Sequence, residues 1–113
     1  MTTPAQLTEI SAAETRALLD SGARLRLIDC REPDEWALCR IEGAEPIPLS
    51  IFSGAAAQLL LDKQEPIVIY CHGGVRSLRA GQYLAELGYT DVRSMAGGID
   101  AWSLEVDPSV PRY

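Results

Sequence analysis

The sequence is poor in histidine and cysteine, with one His and three Cys in 113 residues. A single imidazole excludes catalytic sites and metal cages that need two. An odd number of cysteines excludes a disulfide framework fully paired within one chain. Positive charge is also scarce: Lys and Arg number 10 against 16 Asp and Glu, a net charge of −6. A domain this acidic is poorly suited to binding nucleic acid or anionic lipid through bulk charge. Long apolar runs are missing too. No stretch approaches the ~20 apolar residues of a membrane span, and Leu59-Leu60-Leu61 runs at once into Asp62-Lys63. Met1 to Leu7 carries no Lys or Arg and no apolar run, so it does not read as a secretory leader. Free thiols without a leader point to a reducing cytoplasm.

What is present is ordinary for a globular protein. Hydrophobic residues make up 47% of the chain, which is enough to build a core. The length suits one domain over 1–113, with a core at about 7–103 and a tail at 104–113. Leu7 to Ile10 reads as a short edge strand. Ser11 followed by Glu14 is a capping box, and Gly22 can close the helix it opens. Leu25 to Ile28 reads as a strand ending at Asp29. Pro33-Asp34-Glu35-Trp36 leads into a short helix. Pro46-Ile47-Pro48 is an extended, irregular stretch, and Ser53 to Asp62 reads as a helix. Pro66 to Tyr70 is apolar at nearly every position, as suits a strand covered on both faces. A helix follows from about Ser77 to Leu87, with Ala80, Tyr83, Leu84 and Leu87 as its stripe and Gly88 as its stop. Asp91 to Met95 reads as a strand, and Ile99 to Ser103 as a short helix. This alternation predicts an α/β fold, with a mostly parallel sheet of about five strands and helices on both faces. In such sheets ligands sit beyond the carboxyl ends of the strands. Asp29, Cys71 and Gly97-Gly98 stand at three of those ends.

The segment from Cys71 to Ser77 carries the chemistry. Two adjacent glycines, Gly73 and Gly74, let the backbone curl and turn its N–H groups inward as an anion-binding nest. The next helix points its N-terminus the same way, and Arg76 adds a planar fork of donors. A free thiol near pKa 8.5 is only ~3% thiolate at pH 7. These surroundings are expected to depress the Cys71 pKa and make it a nucleophile.

Cys71-His72-Gly73-Gly74-Val75-Arg76-Ser77 resembles the active-site loop of the rhodanese family of sulfurtransferases. Asp29 to Trp36, Arg40 to Ala44 with Pro46-Ile47-Pro48, and Met95 to Trp102 resemble three further segments of that family, in the right order. The resemblance implies a rhodanese-like domain that moves sulfane sulfur from a donor such as thiosulfate to cyanide or a thiol. It implies a persulfide on Cys71 and no cofactor or metal. The N–H groups of His72, Gly73, Gly74, Val75, Arg76 and Ser77 would hold the terminal sulfur, and Arg76 would help bind the anionic donor. Asp29, Arg31 and Glu35 would brace the site, with Glu35 pairing an Arg. Cys-dependent phosphatases place five residues between Cys and Arg; here there are four. The smaller ring suits one sulfur atom better than a phosphate. Cys39 stands where the family often has Gly, and Glu42 where it often has Pro. Glu105 to Tyr113 resembles the end of rhodanese domains fused to ubiquitin-like-protein-activating enzymes, which implies an alternative role as a sulfur relay to a protein partner.

The other candidates have plainer readings. Cys30 reads as core packing. Cys39 reads as a surface residue, the alternative being a resolving thiol for Cys71. Adjacent side chains at a strand end point apart, so His72 reads as a loop residue whose backbone matters more than its ring. A zinc site of three Cys and one His would need Cys71 and His72 to converge on one ion, unlike structural zinc spacing. Trp36 and Trp102 read as core or site wall, and Leu59 to Leu61 as a buried helix face.

Overall fold

The computed structural model describes residues 7–113; the leader reading of residues 1–6 lies outside the described residues. The elements in chain order are β1 (Leu7–Ile10), α1 (Ala12–Asp20), β2 (Arg26–Asp29), α2 (Pro33–Leu38) and β3 (Glu45–Pro46). A 3₁₀ turn (Leu49–Ile51) leads to α3 (Phe52–Leu59), β4 (Ile67–Tyr70), α4 (Val75–Glu86), β5 (Val92–Met95) and α5 (Gly98–Glu105). The strands form one sheet in the order β1-β5-β4-β2-β3, and every pairing is parallel.

The sequence of β4 explains its central place. Ile67, Val68, Ile69 and Tyr70 are all buried, and they alternate between the two faces. Ile67 and Ile69 pack with Phe52 and Ala56 of α3 and Ala80 and Leu84 of α4. Val68 and Tyr70 pack with Ala12 of α1 and with Ile99 and Trp102 of α5. The two faces therefore carry two cores. Burying an aliphatic side chain of this size contributes about 1.5–3 kcal/mol.

The capping box of α1 forms as expected. Ser11 Oγ accepts the Glu14 N–H at 3.0 Å, and Glu14 Oε1 accepts the Ser11 N–H at 2.9 Å. Four expectations shift. Pro46 is not irregular; it pairs with Asp29 as the short edge strand β3. The helix α3 ends at Leu59, so Leu59 to Leu61 is not one buried face: only Leu60 is buried, while Leu61 is 78% exposed. The helix α4 begins at Val75 and not Ser77, because Gly74 at φ +106° opens it without a side-chain cap. The stretch 104–113 is no loose tail. Helix α5 runs into it, Val106 and Val110 pack on the α1/α5 core, and Arg112 pairs with Asp100 at 2.7 Å.

Candidate active site

Two neighbouring strands, β2 and β4, end side by side. Their register sets Asp29 opposite Tyr70, and the Cys30 N–H donates to the Tyr70 carbonyl at 3.0 Å. One step further the two chains present Cys30 and Cys71, both in the α3/α4 core and both buried. After Cys71 only His72, Gly73 and Gly74 precede α4.

This short loop is clamped by backbone. The Ile99 N–H donates to the Cys71 carbonyl at 2.8 Å, and the Asp100 N–H to the His72 carbonyl at 3.1 Å. Gly98 makes that approach possible. It sits at φ +59°, and a Cβ there would run into the carbonyl oxygens of Cys71 and His72. Gly74 is tight as well: a Cβ would stand 3.2 Å from the Gly97 nitrogen.

The curl aims donors at Cys71. Its Sγ accepts the Gly74 N–H at 3.1 Å and the Ser77 N–H at 3.4 Å, and lies 3.5 Å from Ser77 Oγ. That hydroxyl is fixed in turn by Ser94 Oγ of β5 at 2.7 Å. The thiol pKa falls from 9.0 to about 5. The neighbouring Cys30 thiol is the largest cause, followed by the Ser77 hydroxyl and the two amides, against an opposing cost of burial. The same proximity pushes the Cys30 thiol up, since one negative charge beside it disfavours a second. Val75, Arg76 and Ser77 open α4, where amides have no partner within the helix. Ser77 gives its amide to Cys71, at the positive end of the helix.

A second network braces the loop. Arg76 is held by Glu35 through two bonds of 2.6 and 2.9 Å. The Arg76 guanidinium, with help from the Tyr113 hydroxyl and the Glu32 amide, holds the Glu35 carboxyl down at about 2. Glu35 also accepts the Tyr113 hydroxyl at 2.7 Å. Tyr113 in turn accepts from Arg31 Nη1 at 2.9 Å. Arg31 is fully buried and forks onto Asp29 at 3.0 and 2.7 Å. The chain Asp29–Arg31–Tyr113–Glu35–Arg76 thus joins the end of β2 to the first turn of α4.

The structure brings together Cys71, Gly74, Arg76, Ser77 and Glu35, and links Asp29 and Arg31 to them through Tyr113. The His72 ring stacks on Tyr113, with centroids 4.1 Å apart and planes at 14°. Gly73 faces open space, and Val75 is 71% exposed. Two expectations need correction. Arg76 is not the main source of the depressed thiol, because its charge is shared with Glu35. Cys30 packs in the core as expected, and the same core holds Cys71, whose thiol pKa it helps to lower. Cys39 is buried rather than on the surface; α2 ends there, its carbonyl accepts from Arg31, and its side chain joins the core on the opposite face. Sequence reasoning missed Tyr113 and Ser94. A serine between Arg93 and Met95 of β5, itself buried, was the signal for Ser94. A cavity of about 430 Å³ lies between α1, α5 and residues 107–111, with Cys39 in its wall; the Cys71 loop does not line it.

A family model for the rhodanese-like domain matches residues 11–105. This chain belongs to the rhodanese-like domain family. The rhodanese-like chain is 38% identical over 104 residues to a probable adenylyltransferase/sulfurtransferase, MoeZ, of Mycobacterium tuberculosis; the match covers 92% of this chain and 26% of MoeZ. It therefore spans about a quarter of that relative's length. It is 34% identical to the thiosulfate sulfurtransferase GlpE of Pseudoalteromonas translucida, over 91% of this chain and 95% of GlpE. The solved structure of the human single-domain sulfurtransferase TSTD1 superposes with a TM-score of 0.77 at 36% identity, covering 86% of this chain and 96% of that one. These relatives carry sulfurtransferase names. No helix among the described residues is long and apolar enough to cross a membrane.

Proposed function

We propose that this rhodanese-like chain is a sulfurtransferase that works through a persulfide on Cys71. The observation that carries the proposal is the Cys71 sulfur itself: buried and held by the Gly74 and Ser77 amides, which favour its ionised form. The Cys71 thiolate attacks the outer sulfur of a donor such as thiosulfate. A sulfur–sulfur bond forms to Cys71, the donor's own sulfur–sulfur bond breaks, and sulfite leaves with that electron pair. The persulfide anion extends the negative charge by one atom into the ring of amides from His72 to Ser77. A thiophilic acceptor, cyanide or a thiol, then takes the outer sulfur and restores the thiolate. Glu35 holds Arg76 at the mouth, where its remaining donors meet an anionic donor, and Asp29, Arg31 and Tyr113 keep Glu35 in place. The reaction uses no cofactor, and the chain works in the cytoplasm.

The test is intact-mass measurement after incubation with thiosulfate. One added sulfur on the wild-type chain, absent from Cys71→Ser, supports the reading. An added sulfur that persists in Cys71→Ser overturns it.

Likeness to a quarter of MoeZ, a probable adenylyltransferase/sulfurtransferase, favours a second reading, in which the acceptor is a protein partner. A Cys71 persulfide that forms but turns over only slowly with cyanide supports this relay. Rapid turnover with cyanide supports the free enzyme.

A further inference from the structure

The pairing of β2 with β4 puts a second thiol beside the first. Cys30 follows the last paired residue of β2, Cys71 follows that of β4, and the two strands are adjacent in register. Neighbouring strands run about 4.8 Å apart. That lies inside the Cα separation of about 4.4–6.8 Å usual for a disulfide. Both side chains enter the same α3/α4 core. Cys30 is completely buried in that core. Its one reactive neighbour is Cys71. Cys39, in the core of the opposite face, has no such access.

We propose that Cys30 is a resolving thiol, which discharges the Cys71 persulfide within the chain, releases sulfide and leaves a Cys30–Cys71 disulfide. This rests on the persulfide reading above. In the step, Cys30 Sγ bonds to Cys71 Sγ, and the bond from Cys71 Sγ to the outer sulfur breaks. The outer sulfur takes that electron pair and the Cys30 proton, and leaves as hydrosulfide. The Cys30 sulfur is oxidised and the outer sulfur is reduced, while Cys71 Sγ keeps its oxidation state, so no further oxidant is involved. A dithiol reductant then reopens the disulfide. An acceptor at the mouth competes with this discharge, so sulfide is the product when no acceptor is present. Charge favours the timing. While Cys71 is a bare thiolate, its negative charge lies against Cys30 and keeps Cys30 protonated. Once the persulfide forms, that charge moves outward and Cys71 Sγ becomes electrophilic.

Trypsin places the three cysteines in separate peptides: Cys30 in 27–31, Cys39 in 32–40 and Cys71 in 64–76. The full chain is loaded with thiosulfate, freed of excess donor, and held without acceptor or reductant. Intact mass, released sulfide and the tryptic map are followed. In the wild type the added sulfur is expected to disappear as peptide 27–31 becomes linked to 64–76, with sulfide released in step. Cys30→Ser is expected to load and then keep its sulfur at least about tenfold longer, having lost an internal nucleophile. A persulfide that persists equally in both chains, or a link formed by peptide 32–40, overturns the inference and leaves the persulfide reading intact. No added sulfur on either chain overturns both. The wild-type peptide map needs no variant to fold.

Discussion

Replacing Cys30 by Val removes one S–H beside the Cys71 sulfur while keeping a small apolar side chain in the core. The structure assigns the Cys30 thiol the largest share in lowering Cys71 from 9.0 to about 5. Each pKa unit corresponds to about 1.36 kcal/mol, so the whole stabilisation of the buried anion is on the order of 5 kcal/mol. Ser77 and Gly74 supply the remainder through two amides and a hydroxyl. Cys30→Val is therefore expected to raise the Cys71 midpoint by about one unit or more while leaving it below that of a free thiol. The assay is ultraviolet absorbance of the thiolate against pH, checked by the rate of alkylation at Cys71. In the wild type the alkylation rate stays flat across the neutral range. A wild-type midpoint above about 8 refutes the anion cradle altogether. A midpoint unchanged in Cys30→Val refutes the part given to Cys30. The same shift has a sign in stability. Between pH 9 and 5 the unfolded chain holds a proton on Cys71 that the folded chain does not. Stability from this group is thus full above the unfolded-state pKa, and it is lost as pH falls toward the folded value. The slope is about 1.4 kcal/mol per pH unit, and denaturant midpoints of Cys71→Ser should lack it.

Three further outcomes follow from named contacts. Asp29→Asn leaves the buried Arg31 guanidinium without its counter-charge, and is expected to cost about 3–5 kcal/mol in denaturant unfolding; a loss below about 1 kcal/mol refutes a role for the pair. Glu35→Gln breaks the fork to Arg76 and is expected to cost about 1–2 kcal/mol near neutral pH. Because Glu35 titrates at about 2 instead of 4.5, its contribution is present above pH 4.5 and lost as pH falls toward 2, so wild type and variant should converge in acid melts. Gly98→Ala forces a side chain onto the Cys71 and His72 carbonyls at a positive φ, and is expected to lower stability by about 3 kcal/mol or more and slow sulfur loading. An unchanged melting temperature in Gly98→Ala would show that the clamp is not tight.

Local signals were easy to read in this sequence. The capping box at Ser11 and Glu14, the apolar run into Tyr70 and the glycine pair after Cys71 each act within a few residues, and each appears where expected. The start of α4 was misread by two residues because a positive φ at Gly74, and not a capping side chain, opens it. What was not legible is what needs distant partners. Cys30 and Cys71 meet through the register of two strands joined by a long crossover. Tyr113 reaches Arg31 and Glu35 from the far end of the chain, through a stretch with two prolines and no periodic pattern. Cys39 is buried where α2 ends against the α1/α5 core and Arg31 reaches its carbonyl, contacts no composition reveals.

The backbone clamp on the loop separates shape from identity. Two carbonyls, two amides of α5 and two glycines fix the curve of the ring. The exposed Val75 side chain and the open space at Gly73 contribute little to it, whereas the His72 ring is tied to the bracing network through Tyr113. Gly73 and Val75 form an exchangeable rim around a constant frame. Substitutions there can alter which donors and acceptors fit the mouth while the sulfur-holding geometry stays as it is. A library varied at 73 and 75 alone is therefore a route to new acceptor preference that starts from folded, thiolate-bearing proteins.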